Sequence, residues 1–340
     1  MPKISYKKIK FKKKIFKQFP LEELICKTDL KQNLTFFLII MCCSLNTYQR
    51  NHAWKDDLYL WMDASKKSPY KVRTHLKLGN AYFRKDMLDK SVFEFKKAIV
   101  IRPNYAEAHN NLGYAYHNKG MLDDAIIEYK KALTIITKDI LDEAMFDRKK
   151  TIPIKSYFAK VHNNLGNAYF ERGELDKAIY EYKKAINIKP DFTEVHYNLG
   201  NIYNTKGMFN EAILEYKKII AIGLNDARAH YNLGLAYWKN GMVDEAISEY
   251  KRALSIKPNY LMVRVNLGAA YTDRGMLDKA ISEFKKAITI NPNFAKAYYN
   301  LGVTYYYKGN YKLAIIHSDK AVELGGSVNP KLLELLKPHR

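Results

Sequence analysis

The sequence predicts an all-α fold: a right-handed superhelical solenoid of seven helix-turn-helix repeats closed by a C-terminal capping helix. Three observations predict it. Leu-Gly recurs at Leu78-Gly79, Leu112-Gly113, Leu165-Gly166, Leu199-Gly200, Leu233-Gly234, Leu267-Gly268 and Leu301-Gly302, with spacings of 34, 53, 34, 34, 34 and 34 residues. With Leu-Gly at positions 7 and 8 of a 34-residue unit, Tyr stands at position 11 in all seven units. Ala stands at 20 except for Ser91, and Tyr or Phe at 24 except for Ser318. Positions 4, 7, 8 and 11 then share one face of a helix, and 20, 24 and 27 one face of a second.

Each element follows in order. Residues 1–33 form a basic leader with ten lysines against Glu22, Glu23 and Asp29, about a third of the chain's net charge of +22. Its stretch KKIKFKKKIFKQF spaces Phe11, Ile15 and Phe19 by four, which suits either an anionic membrane surface or a disordered tail. Residues 34–48 hold the most apolar run, LTFFLIIMCCSL. Twelve helical residues span ~18 Å against a hydrocarbon core of ~30 Å. The run reads as a short apolar helix and a candidate membrane segment; it lies too far inside for an ordinary secretory signal. If it inserts, the lysines before it leave the repeats extracytoplasmic; otherwise they are cytoplasmic.

Residues 49–71 place Trp61, Ala64 and Pro69 at the phases of 24, 27 and 32, the second helix of a partial leading unit. Full units follow at 72–105, 106–139, 159–192, 193–226, 227–260, 261–294 and 295–328. Within each, Gly at 8 and Ala at 20 let the two helices approach closely. Gly at 15, replaced by Asp86 in the first unit, breaks the chain between them, and Asp at 18 suits the positive end of the second helix. Pro at 32 (Pro103, Pro190, Pro258, Pro292) ends it. The insertion at 140–158 reads as an extended second helix to about Arg148, then a loop around Pro153, and as a surface excursion. Residues 329–340 offer Asn329 as N-cap and Pro330 at the first helical position of a capping helix.

This phased pattern resembles the tetratricopeptide repeat (TPR) family over residues 72–328. In that family the first helices line a concave groove. At ~100° per residue, position 6 lies ~190° from the buried cluster at 4, 8 and 11, so the resemblance directs it into the groove. Asn111, Asn164, Asn198, Asn232, Asn266 and Asn300 stand there, with Lys77 in the first unit. A carboxamide donates and accepts, and can hold peptide backbone regardless of side-chain sequence. The arrangement resembles the repeat domain of O-linked N-acetylglucosamine transferase, whose groove asparagines hold peptide backbone; the alternative is a soluble filler. Positions 5 and 12 add aromatic area through Tyr197, Tyr231, Tyr299 and Trp238, with Phe83, Phe170 and Tyr306 beside them.

Other chemistries fit less well. His75, His109, His162, His196 and His230 recur at position 4, but helix axes ~8–10 Å apart keep successive copies from sharing a metal ion; they are expected in the core. Lysine pairs at 25 and 26 belong to the outer surface, and position 2 is mixed in sign, which disfavours nucleic acid. No P-loop, nucleophile elbow or Cys-x-x-Cys appears, so the reading holds no catalysis, cofactor, metal or small-molecule substrate. Of three cysteines (Cys26, Cys42, Cys43), none falls in the repeats. Residues 48–82 also resemble the junction in polytopic bacterial membrane proteins related to transmembrane O-mannosyltransferases, through Arg50-Asn51, Trp54-Lys55 and Leu60-Trp61. The upstream spans and catalytic loop of that family are missing, so glycosyl transfer is not implied. The expected function is a non-enzymatic scaffold that binds protein or peptide segments. The alternatives are a membrane-tethered accessory presenting polypeptide acceptors to a glycosylation enzyme and, weakest, an RNA-binding solenoid.

Overall fold

A computed structural model describes residues 35, 37–45, 56–143, 151–223 and 225–340; all regular structure among them is helical. Residues 37–45 are helical and exposed. No helix among the described residues is long and apolar enough to cross a membrane. The basic leader, Arg50-Asn51 and Trp54-Lys55 lie outside the described residues. The chain forms two compact bodies, one ending at Ile101 and the other spanning Arg102–Arg340.

In the first body, α1 (Asp57–Lys67) belongs to the partial leading unit, and α2 (Val72–Arg84) and α3 (Leu88–Ile101) form the first full hairpin. The Asp56 side chain caps α1 by accepting from the Leu58 amide at 2.9 Å. Ser91, the exception at position 20, is fully buried and donates its hydroxyl to the Gly79 carbonyl at 2.9 Å, so it costs no unmet hydrogen bond.

The second body runs through α4 (Ala106–Asn118), α5 (Leu122–Glu143), α6 (Thr151–Glu171), α7 (Leu175–Ile188), α8 (Thr193–Thr205), α9 (Phe209–Ala221), α10 (Ala227–Lys239), α11 (Val243–Ile256), α12 (Leu261–Asp273), α13 (Leu277–Ile290), α14 (Ala295–Tyr307) and α15 (Tyr311–Glu323). The cap α16 (Pro330–Leu336) is followed by a 3₁₀ turn at Lys337–His339. Asn329 caps α16 through the Lys331 amide at 3.0 Å, and Leu332 and Leu336 are buried beneath it. Within this body each first helix packs on its own second helix, and each second helix on the next first helix, the arrangement of a solenoid.

Why glycine stands at position 8 is visible in the ring at 24. A Cβ on Gly200 would lie 2.6 Å from Cε1 of Tyr216, and one on Gly268 2.6 Å from Cε1 of Phe284. Both rings are fully buried. The glycine is thus the floor on which the next helix's aromatic ring lies. At position 15 the glycines adopt positive φ, as at Gly120 (75°) and Gly275 (70°), and Asp86 takes the same conformation at 58°.

The insertion departs from expectation. Unit 106–139 carries Thr137 where four units carry Pro, and α5 runs on, being described to Glu143. Pro153 is not in a loop: it lies in the first turn of α6, where its missing amide leaves no helical hydrogen bond unmet. The insertion therefore lengthens two helices that face each other.

A second inter-unit ladder joins position 18 to position 14 of the following unit. Asp123 pairs with Arg172, Asp176 with Lys206, Asp244 with Arg274, and Asp278 with Lys308. Where Asn210 replaces the acid, Asn240 replaces the base, and the two amides bond at 2.9 Å. The position-18 acid thus serves the neighbouring hairpin as well as its own helix end.

Candidate peptide-binding wall

First helices of successive units touch along the face that carries position 6. Thr272 and Thr304 meet at 3.0 Å between hydroxyls, joining α12 to α14. Trp238 of α10 donates its indole N–H to Asp273 of α12 at 2.7 Å. These contacts define a continuous wall of first helices.

The six asparagines do not share one environment. Asn164 is buried and donates to Asn110 Oδ1 at 3.0 Å. Asn266 is also buried and donates to the Tyr231 hydroxyl at 3.3 Å. These two do not look into an open channel; they tie one first helix to the next. Asn198 is half-buried and its amide is shared between Asn163 Oδ1 (3.2 Å) and Asn167 Oδ1 (3.0 Å). Asn111 is half-buried and accepts from Asn110 at 3.4 Å. Asn232 and Asn300 are half-buried, and neither side chain has a hydrogen-bond partner among the described residues.

The aromatics divide in the same way. Tyr197 is buried, donates to Asp226 Oδ2 at 2.6 Å and lies under the Arg228 guanidinium at 4.1 Å. It is a packing residue, because its hydroxyl is already committed. Tyr231 packs on Tyr260 at 5.5 Å between ring centroids. Trp238 keeps an accessible edge but spends its N–H on Asp273. Tyr299 is half-exposed with no polar partner among the described residues. Phe170 is 42% exposed.

Asparagines at position 9 join this wall and were not singled out from the sequence. Asn167 accepts from the Tyr182 hydroxyl at 2.6 Å, and Asn201 from the Tyr216 hydroxyl at 2.8 Å. Each spends its carbonyl oxygen on the buried tyrosine at position 24. With Asn198 and Phe170 they line a cleft of about 250 Å³ between α6 and α8, where Glu171 and Glu194 add negative charge. The signal in the sequence is weak: Asn stands at 9 in only two of the four units whose ring at 24 is Tyr, the other two carrying Tyr114 and Leu235.

The position-4 histidines are held in the interior by a partner the sequence reading did not assign. Each Nδ1 meets the glutamate at position 23 of its own unit at 2.6 Å: His75–Glu94, His109–Glu128, His162–Glu181, His196–Glu215 and His230–Glu249. In unit 261–294, Arg264 takes the place of the histidine and pairs with Glu283 at 2.7 Å. The second imidazole nitrogen of His75, His109 and His196 meets the carbonyl of the preceding proline at 2.7–2.8 Å. At His109, the two acceptors on one ring favour the imidazolium. The hydrogen bond to Glu128 accordingly raises His109 above the ordinary imidazole value, although burial opposes it. Burial pushes Glu128 up, but hydrogen bonds from His109 and Lys131 outweigh it and hold the carboxyl below its ordinary value. These pairs fasten each hairpin internally and leave the histidines no role on the wall.

An all-α solenoid of phased helical hairpins with an amide-rich wall defines a repeat scaffold. Family models described as TPR repeat match residues 79–120, 166–207, 200–241 and 268–309. Tetratricopeptide repeat models match 227–260, 106–139 and 295–324. Together these spans exceed half of the chain, and the chain belongs to the tetratricopeptide repeat family. A comparison with curated proteins found no match. Among solved structures, the C-terminal part of a TPR repeat-containing protein from Cytophaga hutchinsonii is 19% identical, with 77% of this chain and 99% of that chain covered, at a TM-score of 0.59. A tetratricopeptide repeat protein from Parabacteroides merdae is 20% identical, covering 78% of this chain and 97% of that one, at 0.52. Both share the fold. YrrB, a TPR protein with an unusual peptide-binding site, is 30% identical over 56% of this chain and 91% of its own, at 0.45.

Proposed function

We propose that this protein is a non-enzymatic scaffold whose first-helix wall binds an extended polypeptide segment. The observation that carries the reading is the pair Asn232 and Asn300: half-exposed carboxamides on that wall with no partner among the described residues. A free carboxamide offers one acceptor and two donors, which matches the alternating N–H and C=O of an extended chain. Tyr299 beside Asn300, and Phe170 beside the Asn167–Asn198–Asn201 cleft, supply apolar contact for intervening side chains. Asn198 keeps its carbonyl oxygen free for the same purpose, while Asn164 and Asn266 hold the wall together. The partner is therefore a polypeptide recognised mainly through its backbone.

The test uses a peptide array to find a binder, then the double variant Asn232→Ala/Asn300→Ala. Losing two neutral hydrogen bonds of about 0.5–1.5 kcal/mol each should weaken capture roughly fivefold or more, with helicity and melting unchanged. Capture that is unaltered by the double variant, or that falls steeply with salt as nucleic-acid contacts do, overturns the proposal.

A further inference from the structure

The unit that follows the insertion breaks the rule of the histidine–glutamate pairs on both sides. In five other units the cation at position 26 closes on the position-23 glutamate: Lys97–Glu94, Lys131–Glu128, Lys218–Glu215, Arg252–Glu249 and Lys286–Glu283, at 2.6–3.2 Å. In unit 159–192 Glu181 keeps His162 at 2.6 Å, but Lys184 does not close on it and stands over the Tyr180 ring at 4.3 Å. The other side of the histidine differs too. His75, His109 and His196 give Nε2 to a proline carbonyl six residues upstream. Six residues upstream of His162 is Ser156, inside α6, whose carbonyl points along the helix. Nε2 of His162 therefore has no partner among the described residues.

Both freed groups line a single cavity of about 670 Å³ between α5, α6 and α7. Its apolar walls are Leu133, Phe158 and Ile188, and Lys138 lines it as a second lysine beside Lys184. The hydroxyls of Thr134 and Thr137, also on the wall, are turned back onto the carbonyls of Lys130 and Leu133 at 3.0 and 2.8 Å. The exposed Asn187 amide adds one further polar group. Glu181 is held by His162 at 2.6 Å, and no carboxylate stands among the lining residues to meet Lys184 and Lys138. The volume falls in the range of small-molecule sites.

We propose that this cavity binds a medium-chain aliphatic carboxylate: the chain lies against Leu133, Phe158 and Ile188, and the carboxylate takes the place beside His162 that a proline carbonyl holds in other units. Lys184 closes on that carboxylate instead of on Glu181. The groove of the first body shows what the unmodified pattern does. There His75 and Lys97 line an apolar cavity of about 510 Å³ together with Lys96, but His75 is spent on Pro69 and Lys97 on Glu94.

Isotope-edited NMR of the full chain titrated with octanoate tests this. Saturable shifts of the Leu133 and Ile188 methyl signals are expected. Lys184→Met should weaken binding about tenfold, the loss of one charge-assisted hydrogen bond, and octanamide should bind about tenfold more weakly than octanoate. Thr134→Trp, which fills the cavity from an exposed position, should abolish the shifts; unchanged circular dichroism verifies the fold of each variant. Absent shifts, equal binding of octanamide, or parental affinity in Lys184→Met would overturn the proposal. So would preference for the free-acid peptide acetyl-Gly-Gly-Leu over octanoate, which would place a protein C-terminus there.

Discussion

Replacing Gly200 with Ala places a methyl group 2.6 Å from Cε1 and 2.7 Å from Cζ of Tyr216. Ordinary carbon contacts lie at ~3.5–4.0 Å, so ring or helix must yield by about 1 Å. The ring has nowhere to go: it is fully buried, and its hydroxyl is anchored to Asn201 at 2.8 Å. Overpacking of this kind costs about 1–3 kcal/mol, against a gain of about 0.5–1 kcal/mol from removing a helical glycine. The net expectation is a loss of about 1–2 kcal/mol. Because hairpins in a solenoid open by neighbourhood, the loss is best read by native-state hydrogen exchange on the amides of α8 and α9. Pairing Gly200→Ala with Tyr216→Leu should recover about 1 kcal/mol of coupling in a double-mutant cycle. A Gly200→Ala protein as protected as the parent would refute the view that glycine at 8 is dictated by the ring at 24.

Three further outcomes are expected. His109 is raised, so its contribution is fully present below the ordinary value of 6.5 and is lost as pH rises through its elevated folded value. Glu128 and Glu215 are lowered, so theirs is present above 4.5 and is lost as pH falls through their depressed values. The urea midpoint should therefore decline on both sides, and His109→Gln should shrink the alkaline decline; a flat alkaline side contradicts the imidazolium assignment. Asp86→Gly relieves a positive φ that costs an L-residue about 1–2 kcal/mol and should raise the thermal midpoint; no rise contradicts the strain. Tyr197→Phe removes a hydrogen bond to a carboxylate, worth about 1.5–3 kcal/mol, and should lower stability without changing peptide capture; impaired capture at unchanged stability would return Tyr197 to the binding surface.

The helices and their phase were legible because one period organised every choice: Leu-Gly and Tyr at 11 recur in all seven units, and Ala at 20 and the ring at 24 in six each. For position 6, helical geometry gave an angle away from the buried cluster and not a neighbour. Asn164 and Asn266 hold the same position in the unit as Asn232, yet Asn110 and Tyr231 on the preceding first helix absorb them. Position 5 decides this, and its identity changes from unit to unit. The histidine partner was within reach: a glutamate stands 19 residues after the histidine in five units. In the last unit both change together, to Tyr298 and His317, whose rings lie 6.1 Å apart. The insertion misled because Pro153 reads as a loop residue until one sees that a first helical turn accepts proline.

The groove assignment is tested most directly by side-chain amide resonances. With a captured peptide, the NH₂ signals of Asn232 and Asn300 should shift and slow their exchange with water, while those of Asn164 and Asn266 stay put. Unmoved signals at Asn232 and Asn300 in a saturated complex would contradict the account, whichever other resonances respond.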